Sequence, residues 1–200
     1  MSISDYHFIS RWRVEGTCEE VSDVLKDVES LRRWWPATYL DVRVLEEGDA
    51  EGIGKLVSLH TKGYLPYSLR WQFRVRESRY PHGFTLEAIG DLRGRGIWTF
   101  TQDGLFVDIT YDWKVRARKP IVRALSLLLR PLLASNHQYA MRRGEESLKL
   151  ELARRRARTP EEAAMLLKRR PYAPRFMFSS AYGILPNIDR IWEKYLPRSG

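Results

Sequence analysis

The residue best suited to chemistry in this 200-residue chain is His137, because it lies on the apolar side of a predicted helix. Leu133, His137, Met141 and Gly144 follow each other at intervals of three or four residues, which places them on one helix face. A neutral imidazole on such a face can orient a ligand hydroxyl or act as an acid and base. The alternative is a core histidine whose ring is satisfied by a backbone group or a tyrosine.

Glu87 is the second candidate, and its role depends on how its strand pairs with the next one. A two-residue turn at 90–91 pairs Glu87 with Gly94 and turns the carboxyl inward, where burial raises its pKa and suits it to act as a base or to bind a polar group. A shift of one residue places Glu87 outside, and the apolar alternation through Leu86 and Ala88 favours that shift. Both registers stay open.

Several classes of catalytic site are excluded by the remaining patterns. The four histidines stand far apart without a metal-binding spacing, and the single cysteine, Cys18, can build neither a zinc site nor an internal disulfide. There is no Walker loop and no nucleophile elbow, and the glycines at 90, 94 and 96 fall between two strands with no helix after them. We therefore predict no metal and no cofactor.

The helix that carries His137 is predicted over residues 120–158, with a bend at Pro131, which removes a backbone hydrogen bond. The run at 121–129 is apolar nearly all the way round, so it is buried, lies on a membrane surface or meets a partner. It is too short, and too interrupted by Arg123 and Arg130, to span a bilayer.

A hairpin before this helix supplies an aromatic surface for it. Asp103-Gly104 between two alternating runs predicts a two-residue turn, which pairs Gln102 with Leu105. The side chains that then share one face are Trp98, Phe100, Val107, Ile109, Tyr111, Trp113 and Val115. Gly94 and Gly96 leave room beside the rings. The predicted surface is a curved antiparallel sheet that grips the helix.

The other elements follow from alternation, capping and turn residues. Strands are predicted at residues 7–15, 38–45, 55–61, 67–78 and 84–89, before the two strands of the hairpin. Thr17 and Glu20 form a capping box for a helix after the first strand, and a second short helix ends at Trp35 before Pro36. The predicted order is one strand, two short helices, six strands and a long helix.

A change of composition at Thr159 divides the chain into two predicted parts. Residues 1–158 form one domain with a sizeable core, and residues 159–200 form a helical extension that packs on the domain or on a partner. Thr159 and Glu162 cap a first short helix of the extension. An aromatic stretch at 171–186 and a last short helix around 188–195 follow.

The net charge of +9 is concentrated in one region. Residues 114–175 hold 17 Lys and Arg against 5 Asp and Glu, so the rest of the chain is slightly acidic. Beside an apolar run, this favours peripheral contact with an anionic membrane, and a solvated helix face is the alternative. Nucleic acid is not a predicted partner, because no binding motif is visible. The cysteine usage and the charged N-terminal sequence predict a cytoplasmic protein, peripheral to the membrane if it binds one.

Three short patterns add to the order of the elements. They are Gly90-Asp91-Leu92-Arg93-Gly94-Arg95-Gly96-Ile97-Trp98, then Thr110-Tyr111-Asp112-Trp113-Lys114-Val115, and in the long helix Asn136-His137, Met141 and Gly144-Glu145-Glu146. In these patterns the chain resembles the START-related superfamily of helix-grip proteins, often called SRPBCC, over about residues 6–156. That superfamily includes polyketide cyclases and dehydrases as well as lipid-transfer proteins.

The resemblance implies an α+β helix-grip fold, in which a curved seven-stranded antiparallel sheet wraps round the long C-terminal helix. The superfamily shares a cavity and not a reaction, so a hydrophobic small molecule or lipid is expected between sheet and helix. The residues predicted to bind it are Trp34, Trp35, Tyr39, Trp71, Phe73, Trp98, Phe100, Ile109, Tyr111, Trp113, Leu133, His137 and Met141. The first three flank the expected mouth and are predicted to gate it. For any one ring on a strand, plain core is the alternative.

Three functions fit these observations. The first is a non-catalytic carrier or sensor that encloses a hydrophobic ligand and docks on an anionic membrane through the basic region. The second is a polyketide cyclase or dehydratase with His137 as acid and base. The third is a dimerisation or protein-interaction module without a ligand, which uses residues 127–133 and the extension. We favour the carrier.

Overall fold

The computed structural model describes residues 5–118 and 130–168. The strands are β1 (Asp5–Glu15), β2 (Tyr39–Glu46), β3 (Leu56–Lys62), β4 (Ser68–Ser78), β5 (Gly83–Gly90), β6 (Leu92–Asp103) and β7 (Phe106–Ala117). The helices are α1 (Cys18–Lys26), a 3₁₀ turn (Val28–Ser30), α2 (Leu31–Trp34), α3 (Arg130–Arg156) and α4 (Pro160–Lys168). No helix in these ranges is long and apolar enough to cross a membrane.

The seven strands form one antiparallel sheet in the order β1-β7-β6-β5-β4-β3-β2. The first strand therefore pairs with the last, from Asp5 opposite Arg116 to Glu15 opposite Phe106. Helix α3 packs on β1 and on α1 and α2, and the buried side chains of sheet and helices form one core. The α+β architecture and the order of elements predicted from the sequence are confirmed.

Helix α1 begins with the predicted capping box. The Thr17 hydroxyl accepts a hydrogen bond from the Glu20 backbone N–H at 3.3 Å, and the Glu20 carboxylate accepts one from the Thr17 N–H at 2.9 Å. The same carboxylate receives two bonds from Arg156 at the end of α3, at 2.7 and 2.6 Å. The start of the first helix is therefore tied to the end of the long one.

A buried carboxylate holds the last turns of α3 against α2. Glu151 is only 2% exposed and accepts paired hydrogen bonds from Arg33 of α2 at 2.8 and 2.9 Å. Arg154 and Arg155 bind the same carboxylate from within α3, and Arg155 also reaches Asp27. Burial by itself raises the pKa of Glu151, but the hydrogen bonds from these arginines outweigh it and lower the pKa to about 2. We call these five residues the carboxylate clamp.

The apolar stripe predicted for the long helix is present. Leu133, Met141, Leu148 and Leu152 are buried. Pro131 is the second residue of the described helix, and the predicted bend and the apolar run at 121–129 lie outside the described residues. In the extension, the Thr159 hydroxyl accepts a hydrogen bond from Glu162 N–H at 3.2 Å, which confirms the predicted cap of α4. The elements predicted at 171–195 lie outside the described residues, and the boundary at residue 159 stays a prediction.

The pairing predicted for the β6–β7 hairpin is wrong by two residues. Asp103 pairs with Phe106 and Gln102 with Val107, so the turn is Gly104-Leu105. Gly104 has φ +58 at the first central position, where a type II′ turn needs a glycine. Because side chains alternate with a period of two, this shift leaves every ring on its predicted face.

Candidate ligand-binding site

Two cavities lie end to end inside the sheet, and the smaller one is bounded by α3. Its volume is about 180 Å³, and α3 contributes Leu133, Asn136, His137, Ala140 and Met141 to its wall. The rings that line it are Tyr6, Phe8, Trp35, Tyr39, Tyr67, Trp71, Phe73, Trp98, Tyr111 and Trp113. No carboxylate is among its lining residues in the described part of the chain. We call this cavity the aromatic chamber.

The larger cavity, of about 330 Å³, lies at the opposite end of the strands. Its walls come from α1, the 3₁₀ turn, α2, the ends of β4 and β5, and residues 47–55 between β2 and β3. We call it the loop chamber. The side chains that line both chambers are Trp35, Tyr39, Phe73, Leu86 and Trp98. These residues form the boundary between the two spaces, so a rearrangement there would join them into one cavity.

Stacked rings make one wall of the aromatic chamber. Tyr111 stacks on Trp98 with ring centroids 4.1 Å apart and on Trp113 at 5.4 Å. Gly96 makes this stack possible, because an added Cβ would lie 2.8 Å from the Tyr111 hydroxyl and 2.8 Å from the Trp113 ring. Gly94 faces the backbone of Lys114 instead. The wall is flat and apolar, and it presents the polar edge of Tyr111.

Hydroxyl groups without protein partners face this apolar space. Within the described part of the chain, neither Tyr39 nor Tyr111 donates a hydrogen bond from its hydroxyl to a protein group, and the buried Thr38 hydroxyl has no partner either. Burial raises the pKa of Tyr39 and of Tyr111, so both phenols are neutral donors. A buried polar group usually has a hydrogen-bond partner, so these three groups are suited to meet polar atoms of a ligand.

His137 lines the aromatic chamber as the helix pattern predicted. Its ring stacks on Phe8 with centroids 4.2 Å apart, and its Nε2 lies 3.4 Å from the Ser10 hydroxyl. Burial lowers the pKa of His137 to about 4. The imidazole is therefore neutral at physiological pH, able to donate or accept a hydrogen bond but weak as a base.

Protein-family models and curated protein sequences give no match to this chain. Solved structures do match. The Zhui aromatase/cyclase from Streptomyces sp. R1128 is 19% identical, with a TM-score of 0.59 over 77% of this chain and 97% of that one. A START superfamily protein from Mycobacterium smegmatis is 13% identical, with a TM-score of 0.58 over 73% of this chain and 96% of that one. The chain has the START-like helix-grip fold.

A third helix-grip structure is longer than this chain. The di-domain ARO/CYC StfQ from the steffimycin biosynthetic pathway is 15% identical, with a TM-score of 0.55 over 74% of this chain. The match covers 51% of StfQ, so this chain spans about half of that protein. At such identities the likeness shows a common fold and leaves the reaction open.

Ten of the thirteen predicted binding residues line the aromatic chamber of the helix-grip fold. They are Trp35, Tyr39, Trp71, Phe73, Trp98, Tyr111, Trp113, Leu133, His137 and Met141. Trp34, Phe100 and Ile109 line neither chamber. Phe100 and Ile109 are directly opposite each other near the hairpin end, where α1 covers β6, and Trp34 is buried beside Trp35. The contacts of the ten with a ligand, and the gating role of Trp35 and Tyr39, stay predictions.

The prediction that places Glu87 inside the fold is wrong. Glu87 pairs with Arg95 across β5 and β6, which is the register shifted by one residue. Its carboxylate is exposed and accepts a hydrogen bond from Arg76 Nε at 2.8 Å. Leu86 and Ala88 are buried in its place, so their alternation was the better guide. Glu87 serves a surface ion pair.

Asn136 has a role that the sequence did not reveal. Its Oδ1 accepts hydrogen bonds from the backbone N–H groups of Tyr64 at 2.8 Å and Leu65 at 3.1 Å. Gly63 lies so close that an added Cβ would overlap the Asn136 side chain. The loop between β3 and β4 is thereby fastened to α3 beside the aromatic chamber. In the sequence, the only indication of this role of Asn136 was its position next to His137.

Gly144 and Trp35 meet across the interface between α2 and α3. An added Cβ at Gly144 would overlap the Trp35 ring, and Trp35 Nε1 donates a hydrogen bond to the Ala140 carbonyl at 3.2 Å. The glycine on the predicted helix face therefore allows α3 to approach Trp35 closely. Since Trp35 lines both chambers, α3 controls the position of their common wall.

Proposed function

We propose that this protein encloses a hydrophobic small molecule or lipid in the aromatic chamber and acts as its carrier or sensor. The observation that carries the proposal is a chamber walled by rings and free of carboxylates among its described lining residues, in which the buried Thr38 hydroxyl has no partner in the described part of the chain. The Tyr39 and Tyr111 phenols line the same chamber. Ligand sites are mostly apolar and contain a few placed polar groups. The helix-grip fold is compatible with such a cavity.

The size of the ligand follows from the two volumes. A typical drug-sized ligand occupies a cavity of roughly 300–1,000 Å³, which is more than the aromatic chamber alone. A ligand of that size extends past Trp35 and Tyr39 into the loop chamber. The proposed ligand is therefore apolar where it lies among the rings of the aromatic chamber, with oxygen atoms near the three hydroxyls, and its other end meets the more polar wall of the loop chamber.

Native mass spectrometry of the freshly purified protein tests this function, followed by extraction and identification of what is bound. We expect a co-purified hydrophobic molecule in the wild type and none in Ala140→Phe, because the new ring fills the aromatic chamber. Ala134→Phe on the same helix is the control, since Ala134 lines neither chamber. An empty wild-type protein that also fails to take up any apolar probe would reject the proposal.

An enzyme of the polyketide cyclase or dehydratase type is the second candidate, and the position of His137 on the chamber wall favours it. The lowered pKa of the imidazole, about 4, makes it a weak general base and therefore supports the carrier over the enzyme. The test is turnover of a poly-β-ketone substrate. If the protein is an enzyme, His137→Ala loses turnover and keeps the ligand, whereas a carrier shows no turnover in either form.

The proposal includes peripheral contact with an anionic membrane through the basic residues 114–175. Lys114, Arg116 and Arg118 are described and exposed, and residues 119–129 lie outside the described part. The support is the local excess of positive charge beside an apolar stretch of sequence.

A further inference from the structure

Three exposed arginines surround the turn between β5 and β6. The Asp91 backbone N–H donates to the Arg70 carbonyl at 3.1 Å, and the Arg70 N–H donates to the Asp91 carboxylate at 2.8 Å. The Arg118 N–H donates to the Asp91 carbonyl at 2.7 Å, and Arg93 follows in β6. The turn thus gathers Arg70 of β4, Arg93 of β6 and Arg118, which directly follows β7, at one end of the sheet. We call these three residues the basic end.

The basic end gathers three arginines without a described ion pair, whereas most arginines on the outer sheet face are paired. Within residues 5–118 and 130–168, no carboxylate lies within ion-pair distance of Arg70, Arg93 or Arg118. In contrast, Arg13 binds Asp108 at 2.7 Å on the same face, and other arginines there are paired as well. The positive charge at the basic end is therefore available to an external anion.

Like charges also lie opposite each other beside the basic end. Arg93 is the direct cross-strand partner of Arg116, and Arg95 is that of Lys114. Such pairs destabilise a sheet relative to opposite charges at the same positions. Arg116, Arg95 and Lys114 are each within ion-pair distance of a carboxylate, namely that of Asp5, Glu77 and Asp112. Arg93 is the member of these pairs without a described carboxylate partner, so an external anion would act on Arg93.

The aromatic chamber reaches the inner side of the same end. Leu69, Leu92 and Ala117 line the chamber, and each is the chain neighbour of a residue of the basic end. Ile89, on the outer side of the turn, is 43% exposed. The wall of the loop chamber, at the opposite end of the sheet, carries both signs of charge, because Asp49 and Glu51 lie there together with Lys26 and Lys55. The three clustered arginines are therefore a feature of the end at the aromatic chamber.

We propose that the basic end docks on the phosphate groups of an anionic phospholipid membrane and brings the end of the aromatic chamber to the bilayer. Guanidinium groups bind phosphate oxygens in pairs, and an exposed isoleucine among them suits the lipid interface. The leucine-rich sequence 121–129 follows Arg118 closely along the chain, which favours a membrane over nucleic acid or an acidic protein. Passage of a ligand at this end rests on the proposed function, but the docking does not.

Vesicle co-sedimentation of the full chain tests the docking. We expect binding to vesicles of phosphatidylcholine with phosphatidylglycerol, little binding to phosphatidylcholine alone, and loss of binding at high salt. The triple variant Arg70→Glu, Arg93→Glu, Arg118→Glu should lose at least about tenfold in affinity for these vesicles, because each basic residue near an anionic surface contributes to the attraction. The control is Arg11→Glu, Lys26→Glu, Arg32→Glu, which reverses three exposed basic residues that have no described ion pair and lie outside residues 114–175. Equal loss in both variants would overturn the proposal.

A site-specific probe keeps the proposal testable if the triple variant does not fold. Ile89→Cys and Glu51→Cys each take one environment-sensitive dye, because the native Cys18 is buried. Phosphatidylglycerol vesicles should shift the emission of the dye at position 89 to the blue and leave that at 51 unchanged. An emission shift of the dye at position 51 alone, or of neither dye, would overturn the docking proposal. An equal shift of the dye at position 89 with heparin in place of vesicles would overturn it as well. Vesicle binding by a protein without ligand would reject only the proposed carrier function.

Discussion

His137 links the chemistry of the chamber to the stability of the fold. Its pKa is about 4 in the folded protein and 6.5 ordinarily, so the unfolded chain binds the proton more tightly. The contribution of the neutral imidazole to stability is complete above pH 6.5 and is lost as the pH falls towards 4. The variant His137→Phe keeps a ring beside Phe8 but has no group that titrates there. When the pH falls from 6.5 to 4, we expect the unfolding free energy of the wild type to decrease by about 2 kcal/mol more than that of the variant. Urea titrations across the interval measure it, and parallel profiles would contradict the buried neutral state.

The unpartnered phenols predict a separation of binding from stability. Tyr39→Phe and Tyr111→Phe remove hydroxyls that bind no described protein group, so the melting temperature should stay the same or rise. Ligand affinity should fall by about 1 kcal/mol, or roughly fivefold, for each hydrogen bond lost. Titration of the identified ligand by tryptophan quenching measures the affinity.

Tyr80→Phe is the control for these variants, because Tyr80 is exposed and lines neither chamber. A fall in melting temperature with unchanged affinity would mean that the hydroxyls of Tyr39 and Tyr111 serve the fold and not the ligand.

Sequence reasoning located most of the chamber and missed its fine structure for physical reasons. Alternation on strands assigns a face, so it found the rings but did not tell the open part of the interior from the part under α1, where Phe100 and Ile109 lie. Glu87 shows the converse, since one residue in a turn decides the face of a whole strand. Thr38 and Asn136 carry no periodic pattern, and their roles depend on contacts between elements distant in the sequence.

The carboxylate clamp joins α2 and α3 through a carboxylate that is almost fully buried. Glu151→Gln leaves Arg33, Arg154 and Arg155 around an uncharged group, and we expect a loss of about 3 kcal/mol of unfolding free energy, as when one partner of a buried ion pair is removed. Chemical unfolding at neutral pH measures it. Glu146→Gln, which breaks an exposed pair with Arg143, is the matched control and should cost less than about 1 kcal/mol.

The clamp also predicts acid sensitivity in a separate interval from that of His137. The pKa of Glu151 is lowered from 4.5 to about 2, so its contribution is complete above pH 4.5 and is lost as the pH falls to about 2. Wild type and Glu151→Gln should therefore converge in stability over this interval. A difference that stays constant down to pH 2 would show that the carboxylate charge is not what binds the helices.

The close approach of α3 to Trp35 predicts the sign of the stability change caused by Gly144→Ala. Helix propensity alone predicts that Gly144→Ala stabilises the protein by up to about 1 kcal/mol. Because the new Cβ overlaps the Trp35 ring, we expect destabilisation instead, and Trp35→Leu in the same chain should restore part of the loss. Thermal unfolding of the single and double variants decides between the two effects. A more stable Gly144→Ala would mean that the interface is loose.

Element boundaries were more predictable than the contacts between elements. Capping residues and alternation are local, and they placed the start of α1 and the bounds of β1 to β5 within one or two residues. The hairpin turn was misplaced because Asp103-Gly104 and Gly104-Leu105 both supply a glycine at a usable position. The carboxylate clamp was invisible, since one glutamate among many in a helix gives no local sign of burial.

For the molecule as a whole, the two chambers predict which loops a bound ligand protects from backbone hydrogen exchange. A ligand that spans both should slow backbone hydrogen exchange in residues 47–55 and in residues 63–65, because each loop borders one chamber. The tip of the β6–β7 hairpin at Leu105 is the internal control, since it lies outside both. Protection of residues 63–65 alone would show that the ligand is confined to the aromatic chamber.

Strand β1 is synthesised first but pairs with β7, which is the last strand of the sheet to be synthesised. Among the described strands β1 pairs with β7 alone, so the ribosome must produce residue 117 before the N-terminal strand can be enclosed. Until then Tyr6, Trp12 and Val14 are available to other nascent chains. The bond from Arg156 to Glu20 forms later still, across most of the described length. With so many contacts between distant residues, we expect slow folding, and we expect chaperones that shield the unpaired β1 to raise the yield.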